Sequence, residues 1–325
     1  MIKCRICGNE NGNKLFIAKE MMFGTNEEFE YFECAECKTI QIKDIPVDIK
    51  KYYPENYSSM SKFNTDKPIS ILKKFIKMIF AQIYLNKIIG LIFTPFVNKF
   101  NLFYLKNLKT AGCNLKSKIL DVGSGIGNKL IGLKEFGFTQ LYGSDPFIDN
   151  EIEYPSGLRI YKRDINGFTE KFDFIMLNHS FEHMFNPKEI LQKINSVLNP
   201  EGICMIKIPV SQSYAWENYK EYWVALDAPR HIHLLNQKSM HILSGQTGFK
   251  IVKTVFDSSE YQFLGSEQYK KGITLLDEKS FYVNPSNTIF TEKEILQYKK
   301  KAKKLNKEGK GDTICFYLKK VNPNE

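Results

Sequence analysis

One stretch constrains the fold more than any other. Lys118-Ile-Leu-Asp-Val-Gly-Ser-Gly-Ile-Gly127 runs as an apolar strand into three alternate glycines, then into Asn128–Gly137, where Leu130, Ile131, Leu133 and Phe136 recur at helical spacing. Glycine lets a backbone turn tightly and approach a ligand with no Cβ in the way. A glycine loop between a strand and a helix reads as a nucleotide site. The spacing Gly123, Gly125, Gly127 departs from the dinucleotide pattern G-x-G-x-x-G, and Asp121 stands where it would repel a pyrophosphate. Both departures point to a cofactor with a cationic, amino-acid-like head.

The Asp121–Gly127 run resembles the first motif of class I S-adenosylmethionine-dependent methyltransferases. The segments that follow fit the same pattern. Strands are expected at 140–145, 158–164, 172–179 and 202–209, with a helix at 186–199, and 249–261 and 312–320 supply two closing strands. The resemblance implies an α/β fold, a Rossmann-like seven-stranded sheet with helices on both faces. It implies S-adenosylmethionine contacts at Asp121, Gly123, Ser124, Gly125 and Gly127. Asp145 and Pro146 would lie at the ribose, Asp164 and Ile165 near the adenine, and Asn178 beside the methyl donor.

Cys4 and Cys7 form one C-x-x-C, and Cys34 and Cys37 another. Two such turns complete a tetrahedron of thiolates around one zinc ion. Disulfides or a redox pair are the alternatives, disfavoured by an expected cytoplasmic location and by the lack of a βαβ pattern around residues 1–40. A ribbon this small needs its metal to fold, so Zn2+ is expected as a structural staple. Cys113, Cys204 and Cys315 read as small buried apolar residues. The expected organisation is a zinc-binding domain at 1–60, a basic amphipathic helical insert at 61–112, and the methyltransferase domain at 113–325 with an insertion at 262–311.

A narrower resemblance is to bacterial methyltransferases that carry an N-terminal zinc-binding domain, sugar C-methyltransferases among them. It rests on the paired C-x-x-C, on Tyr52-Tyr53 and Tyr57, and on Phe181-Glu-His183. Trp223-x-x-Leu-Asp-x-Pro-Arg-His231 and Gly265-Ser-Glu-Gln-Tyr269 complete it. It implies methyl transfer to a sugar or other small acceptor, as in polysaccharide biosynthesis. A sulfonium already makes transfer favourable, so the enzyme aligns the partners and removes a proton where needed. His231 is expected as that base, with Arg230 beside it gripping an acceptor phosphate or carboxylate. His179 is expected at the same site, with Glu182 and His183 either touching the acceptor or anchoring the turn, and packing under a helix is the bland alternative for His231 and His233. His179-x-x-Glu182-His183 also matches the inverted zinc-protease motif H-x-x-E-H, but it leaves a strand for a turn rather than lying on a helix, which excludes a peptidase.

The chain of 325 residues has 46 Lys+Arg against 36 Asp+Glu, a net charge of +10. Lys67 to Lys118 holds ten lysines and no acid, so this one segment carries the whole excess. Its apolar residues, from Ile71 to Leu85, sit at mostly helical spacing between the lysines. Three roles compete for it: a helical layer on the fold, an interfacial membrane helix, or an RNA surface. No apolar run reaches the length of a spanning helix, and the N-terminus lacks a signal-peptide core. The expected enzyme is cytoplasmic, with peripheral membrane contact through the insert. RNA methylation is the alternative function. Asn178 followed by His179-Ser180-Phe181, rather than an Asn-Pro-Pro-Tyr step, argues against nucleic acid as partner.

Overall fold

The computed structural model describes residues 2–53, 70–86, 88–99 and 102–321. Tyr57, Lys67, Lys87 and the 60/61 boundary lie outside them. The seven strand segments expected from the glycine loop onward all form: β4 (Ile119–Val122), β5 (Leu141–Ser144), β7 (Arg159–Tyr161), β8 (Phe172–Asn178), β9 (Leu198–Pro209), β11 (Phe249–Phe256) and β12 (Thr313–Lys320). The sheet nevertheless has eight strands, ordered β11-β12-β9-β8-β4-β5-β7-β6. The expected count of seven is corrected by β6 (Ile152–Glu153), which turns back antiparallel on β7 at the open edge.

β4 runs parallel to both β5 and β8, while β12 lies antiparallel between β9 and β11. From β4 the chain winds one way through β5 and β7 and the other way through β8 and β9. The crevice at the carboxyl ends of β4 and β8 is therefore a topological switch point, where ligands bind in such sheets.

Successive side chains of a strand point to opposite faces, and here each face has its own core. Leu120, Ile175, Leu177, Cys204 and Ile206 pack with Leu191 and Ile194 of α5 (Pro187–Val197) and with Met240 and Leu243 of α7 (Gln237–Gln246). Their neighbours Ile119, Phe174, Met176 and Met205 pack the other way. They meet Leu130 and Leu133 of α4 (Asn128–Glu135), Leu105 and Leu108 of α3 (Phe103–Thr110), and Ala81 and Tyr84 of α1 (Ile71–Leu85). With α2 (Thr94–Lys99), the basic insert is thus a helical layer on this second face. Lys77 pairs with Glu135 at 2.6 Å, and Lys109 lies over the Tyr84 ring.

The N-terminal sheet is β1 (Lys14–Lys19), β2 (Glu28–Glu33), β3 (Ile40–Ile42) and then β10 (His233–Leu234). Its fourth strand comes from the far side of the sequence, so the described residues 2–53 do not complete this sheet by themselves. Asn236 ties the halves together, capping α7 and donating to Cys37 O at 2.8 Å. A third core joins this sheet to α6 (Tyr214–Tyr219), α8 (Tyr261–Lys270) and α9 (Glu292–Lys307) through Tyr31, Trp216, Trp223, Phe263 and Leu305.

Candidate active site

The cofactor side forms where β4 ends. Gly123 has φ +74°, and a Cβ there would lie 2.4 Å from Ser180 Cβ, because the loop packs directly on the turn that follows β8. Ser180 fixes that contact by donating to Val122 O at 2.7 Å. Gly127, at φ +84°, starts α4 with no room for a Cβ against Ile160. Asp121 is fully buried with neither carboxylate oxygen hydrogen-bonded, and burial lifts its pKa to about 6. Asp145 accepts from the backbone N–H of Gly125 and of Phe147, each at 2.9 Å, and burial raises its pKa as well.

Gly123, Ser124, Gly125 and Gly127 therefore stand with Asp121, Asp145 and Asn178 around the carboxyl ends of β4, β5 and β8. Pro146 is exposed, while Asp164 caps the short turn that buries Ile165.

Beside the cofactor side lies a cavity of about 680 Å³. His179 and His231 line it, with Lys207, Asp227, Asp257, Asp312 and, from the 262–311 insertion, Leu275 and Tyr282. His179 follows the last residue of β8 at φ +54°, a backbone that swings its ring out of the sheet. Glu182 and His183 occupy one helical turn directly after it. Glu182 is fully buried, with Oε1 3.5 Å from His179 Nδ1 and 3.8 Å from His231 Nε2. The rings of His183 and His231 meet edge to face at 4.7 Å. Burial lowers His183 to about 4, so it is neutral at pH 7.

Arg230 overturns one expectation. It does not reach the cavity to grip an acceptor. It is fully buried, its guanidinium 2.8 Å from Glu20 and 2.6 Å from Asp227, with a further contact to Tyr52 O. A buried guanidinium needs such partners, and the N-terminal domain supplies two of them. Tyr31 adds a hydrogen bond to His231 O at 2.9 Å. Arg230 thus positions His231 without touching ligand. His233 packs against Phe181, and burial drives its pKa down to about 3. His241 is exposed on α7.

Asp257, Asp312 and Tyr53 escaped the sequence reading as site residues. Trp223 donates to Asp312 at 3.0 Å, and Tyr53 stacks on Phe147 while meeting His183 Nδ1 at 3.0 Å. Their only signal was Tyr53's place in the Tyr52-Tyr53 pair, because the two aspartates lie beside strands with no motif of their own.

The four N-terminal cysteines converge. Cys4 and Cys37 sulfurs are 3.6 Å apart, as are those of Cys7 and Cys34. A disulfide needs about 2.05 Å. Thiolates at ~2.3 Å around one tetrahedral ion lie about 3.8 Å apart, so the set fits a single zinc ion. Gln41 Nε2 and the Ile6 amide both donate to Cys4 Sγ, the support a thiolate ligand needs.

Residues 98–254 match a family model described as a methyltransferase domain. That stretch, just under half of the chain, is thus a methyltransferase domain, and the chain is an enzyme. No curated protein matches it. Among solved structures it is similar to the cyclopropane synthase MmaA2 from Mycobacterium tuberculosis, at 16% identity over 62% of this chain and 78% of that one, TM-score 0.39. A SAM-dependent methyltransferase from Archaeoglobus fulgidus shares 17% identity over 67% of this chain and all of that one, TM-score 0.39. A putative sarcosine dimethylglycine methyltransferase from Galdieria sulphuraria reaches a TM-score of 0.42 at 14% identity, covering 69% and 86%. Likenesses this distant carry no weight for the acceptor.

Proposed function

We propose that the chain transfers the methyl group of S-adenosylmethionine to a small-molecule acceptor, a sugar or glycan precursor. One observation carries this: the glycine loop packs through Gly123 on Ser180 in the turn after β8, and the residue before Ser180, His179, lines the cavity with His231. Asp121 supplies the negative charge for the cofactor's ammonium, and Asp145 the acceptor pair for its ribose hydroxyls. The cavity volume falls within the ~300–1,000 Å³ of small-molecule sites. Its polar wall of Asp257, Ser258, Ser259, Asp312 and Thr313 suits hydroxyl groups. His179, Glu182, His183 and His231 bind the acceptor's nucleophilic atom and take its proton. The four thiolates hold structural zinc, which sets the loop carrying Arg230 and His231.

The insert adds a second element. Ile71, Leu72, Phe75 and Ile76 are exposed beside Lys73 and Lys74, an apolar and cationic face that fits an anionic membrane surface presenting a lipid-linked acceptor. Among the described residues no helix is long and apolar enough to cross a membrane.

The test is transfer of labelled methyl onto nucleotide sugars, lipid-linked sugars and RNA. Labelling of a sugar class, lost in His231→Ala with S-adenosylmethionine affinity retained, is the expected result. Labelling of RNA alone would overturn the acceptor assignment.

A further inference from the structure

Glu182 stands out among the buried acids. Its side chain is inaccessible to solvent, yet neither oxygen has a hydrogen-bond partner, and the contact to His179 at 3.5 Å lacks hydrogen-bond geometry. An uncompensated buried carboxylate costs several kcal/mol. Asp227 and Glu20 escape that cost through Arg230, but Glu182 has no such partner. What it does have is two imidazoles. One ligand atom each from Glu182, His183 and His231 lies within 4.8 Å of the others.

The tautomers of both rings follow from their neighbours. A carbonyl oxygen only accepts, so Nδ1 of His231, 2.8 Å from Ala225 O, carries its hydrogen, as does Nδ1 of His183, 3.0 Å from Arg230 O. In the neutral ring the lone pair is then on Nε2, the atom free to bind a metal. In His231 that atom lies 3.8 Å from Glu182 Oε1 and 3.8 Å from Asp227 Oδ2. Imidazoles fixed through Nδ1–H to backbone carbonyls are the arrangement that orients histidine toward a metal.

We propose that Glu182, His183 and His231 bind one divalent transition-metal ion, and that this ion holds an oxygen of the methyl acceptor. Two imidazoles and a carboxylate suit zinc, cobalt or iron in the divalent state. The 3.8 Å between His231 Nε2 and Glu182 Oε1 exceeds by a few tenths of an ångström the ~3.4 Å between two ligands of a tetrahedral ion at ~2.1 Å, and the three ligand atoms lie within 4.8 Å of one another, so the side chains draw together to close the site. Three protein ligands leave a coordination position open toward the cavity, where His179 stands.

The inference rests on the methyl-transfer reading and specifies how the acceptor is held. A hydroxyl of the acceptor on the ion is acidified and passes its proton to His179. Its oxygen lone pair forms the new bond to the methyl carbon, and the pair of the breaking carbon–sulfur bond stays on sulfur, giving the neutral thioether. No oxidant or reductant is needed.

The experiment counts metal on the full chain. Protein with zinc at the four thiolates is titrated with Co2+ by calorimetry, alongside Glu182→Gln, with melting curves and S-adenosylmethionine binding as controls for folding. One further equivalent in the parent, weakened at least 100-fold in Glu182→Gln, is expected, together with methyl transfer lost to a mild chelator and restored by Co2+. Where the variant fails to fold, anomalous diffraction from parent crystals soaked in Co2+ decides: a peak between Glu182, His183 and His231 is expected. No further equivalent and no such peak, or full turnover with metal at the thiolates alone, would overturn the proposal and leave methyl transfer standing. A filled second site with no transfer to any acceptor would instead sink the functional reading.

Discussion

Two clusters of ligand-type side chains differ in what surrounds them. The four cysteines are enclosed by Ile6, Phe32 and the α7 side of the core, and their four sulfurs suffice to surround one tetrahedral ion. Glu182, His183 and His231 offer three ligand atoms, and His231 lines the cavity. A closed set fixes backbone, whereas an open one leaves a position for a reacting molecule. Arg230 lies between the two, joining Glu20 of the N-terminal domain to Asp227 beside the open cluster. Changes on the closed side should therefore register in stability, and those on the open side in turnover and ligand affinity.

The largest effect should come from Cys37→Ser. Structural zinc contributes on the order of 10 kcal/mol in small domains, so the variant should lose its metal and expose residues 2–53 to limited proteolysis. Retained melting temperature would break the distinction between the clusters. Arg230→Met comes next. It leaves Glu20 and Asp227 as unpaired buried carboxylates, a cost of about 3–5 kcal/mol in chemical denaturation. Its turnover should fall with its stability, because His231 hangs on the same loop.

Gly123→Ala tests the cofactor side. Strain at φ +74° with a Cβ pressed on Ser180 is worth about 1–3 kcal/mol, and it should appear as roughly tenfold or greater loss of S-adenosylmethionine affinity by calorimetry. Asp121 gives a pH signature. Its folded-state pKa of about 6 lies above the ordinary 3.8, so its burial as the neutral acid favours folding below about pH 4, and that contribution is lost as pH rises through about 6. Cofactor affinity should run the other way, rising through pH 6 as the carboxylate forms. Asp121→Asn should flatten that profile and stabilise the cofactor-free chain at pH 7. The smallest effect belongs to Lys73 and Lys74: replacing both with Gln should weaken binding to anionic vesicles by about 1 kcal/mol per charge and leave turnover on soluble acceptors unchanged.

Much of this was legible in the chain itself. The apolar strands and the helical spacing of α4 and α5 are local patterns, readable because each is decided within a few residues. The C-x-x-C pairs are legible for the same reason, since both sulfurs of a pair sit on one turn. Arg230 was misjudged because its partners Glu20 and Asp227 lie 210 and three residues away, and only the nearer was in view. His179-x-x-Glu182-His183 looked coincidental because its third partner, His231, comes from a loop 48 residues further on.

The sequence by itself determined the strand–loop–helix unit, the places of seven strand segments along the chain and the four-thiol set, because each is decided by short-range geometry and local apolar pattern. Tertiary structure alone decided that β10 completes the N-terminal sheet, that Arg230 is a buried tie, and that Glu182 meets the imidazoles of His183 and His231. Those outcomes depend on which distant groups are desolvated together, and the energy of a buried charge is set by neighbours that no local window of sequence contains.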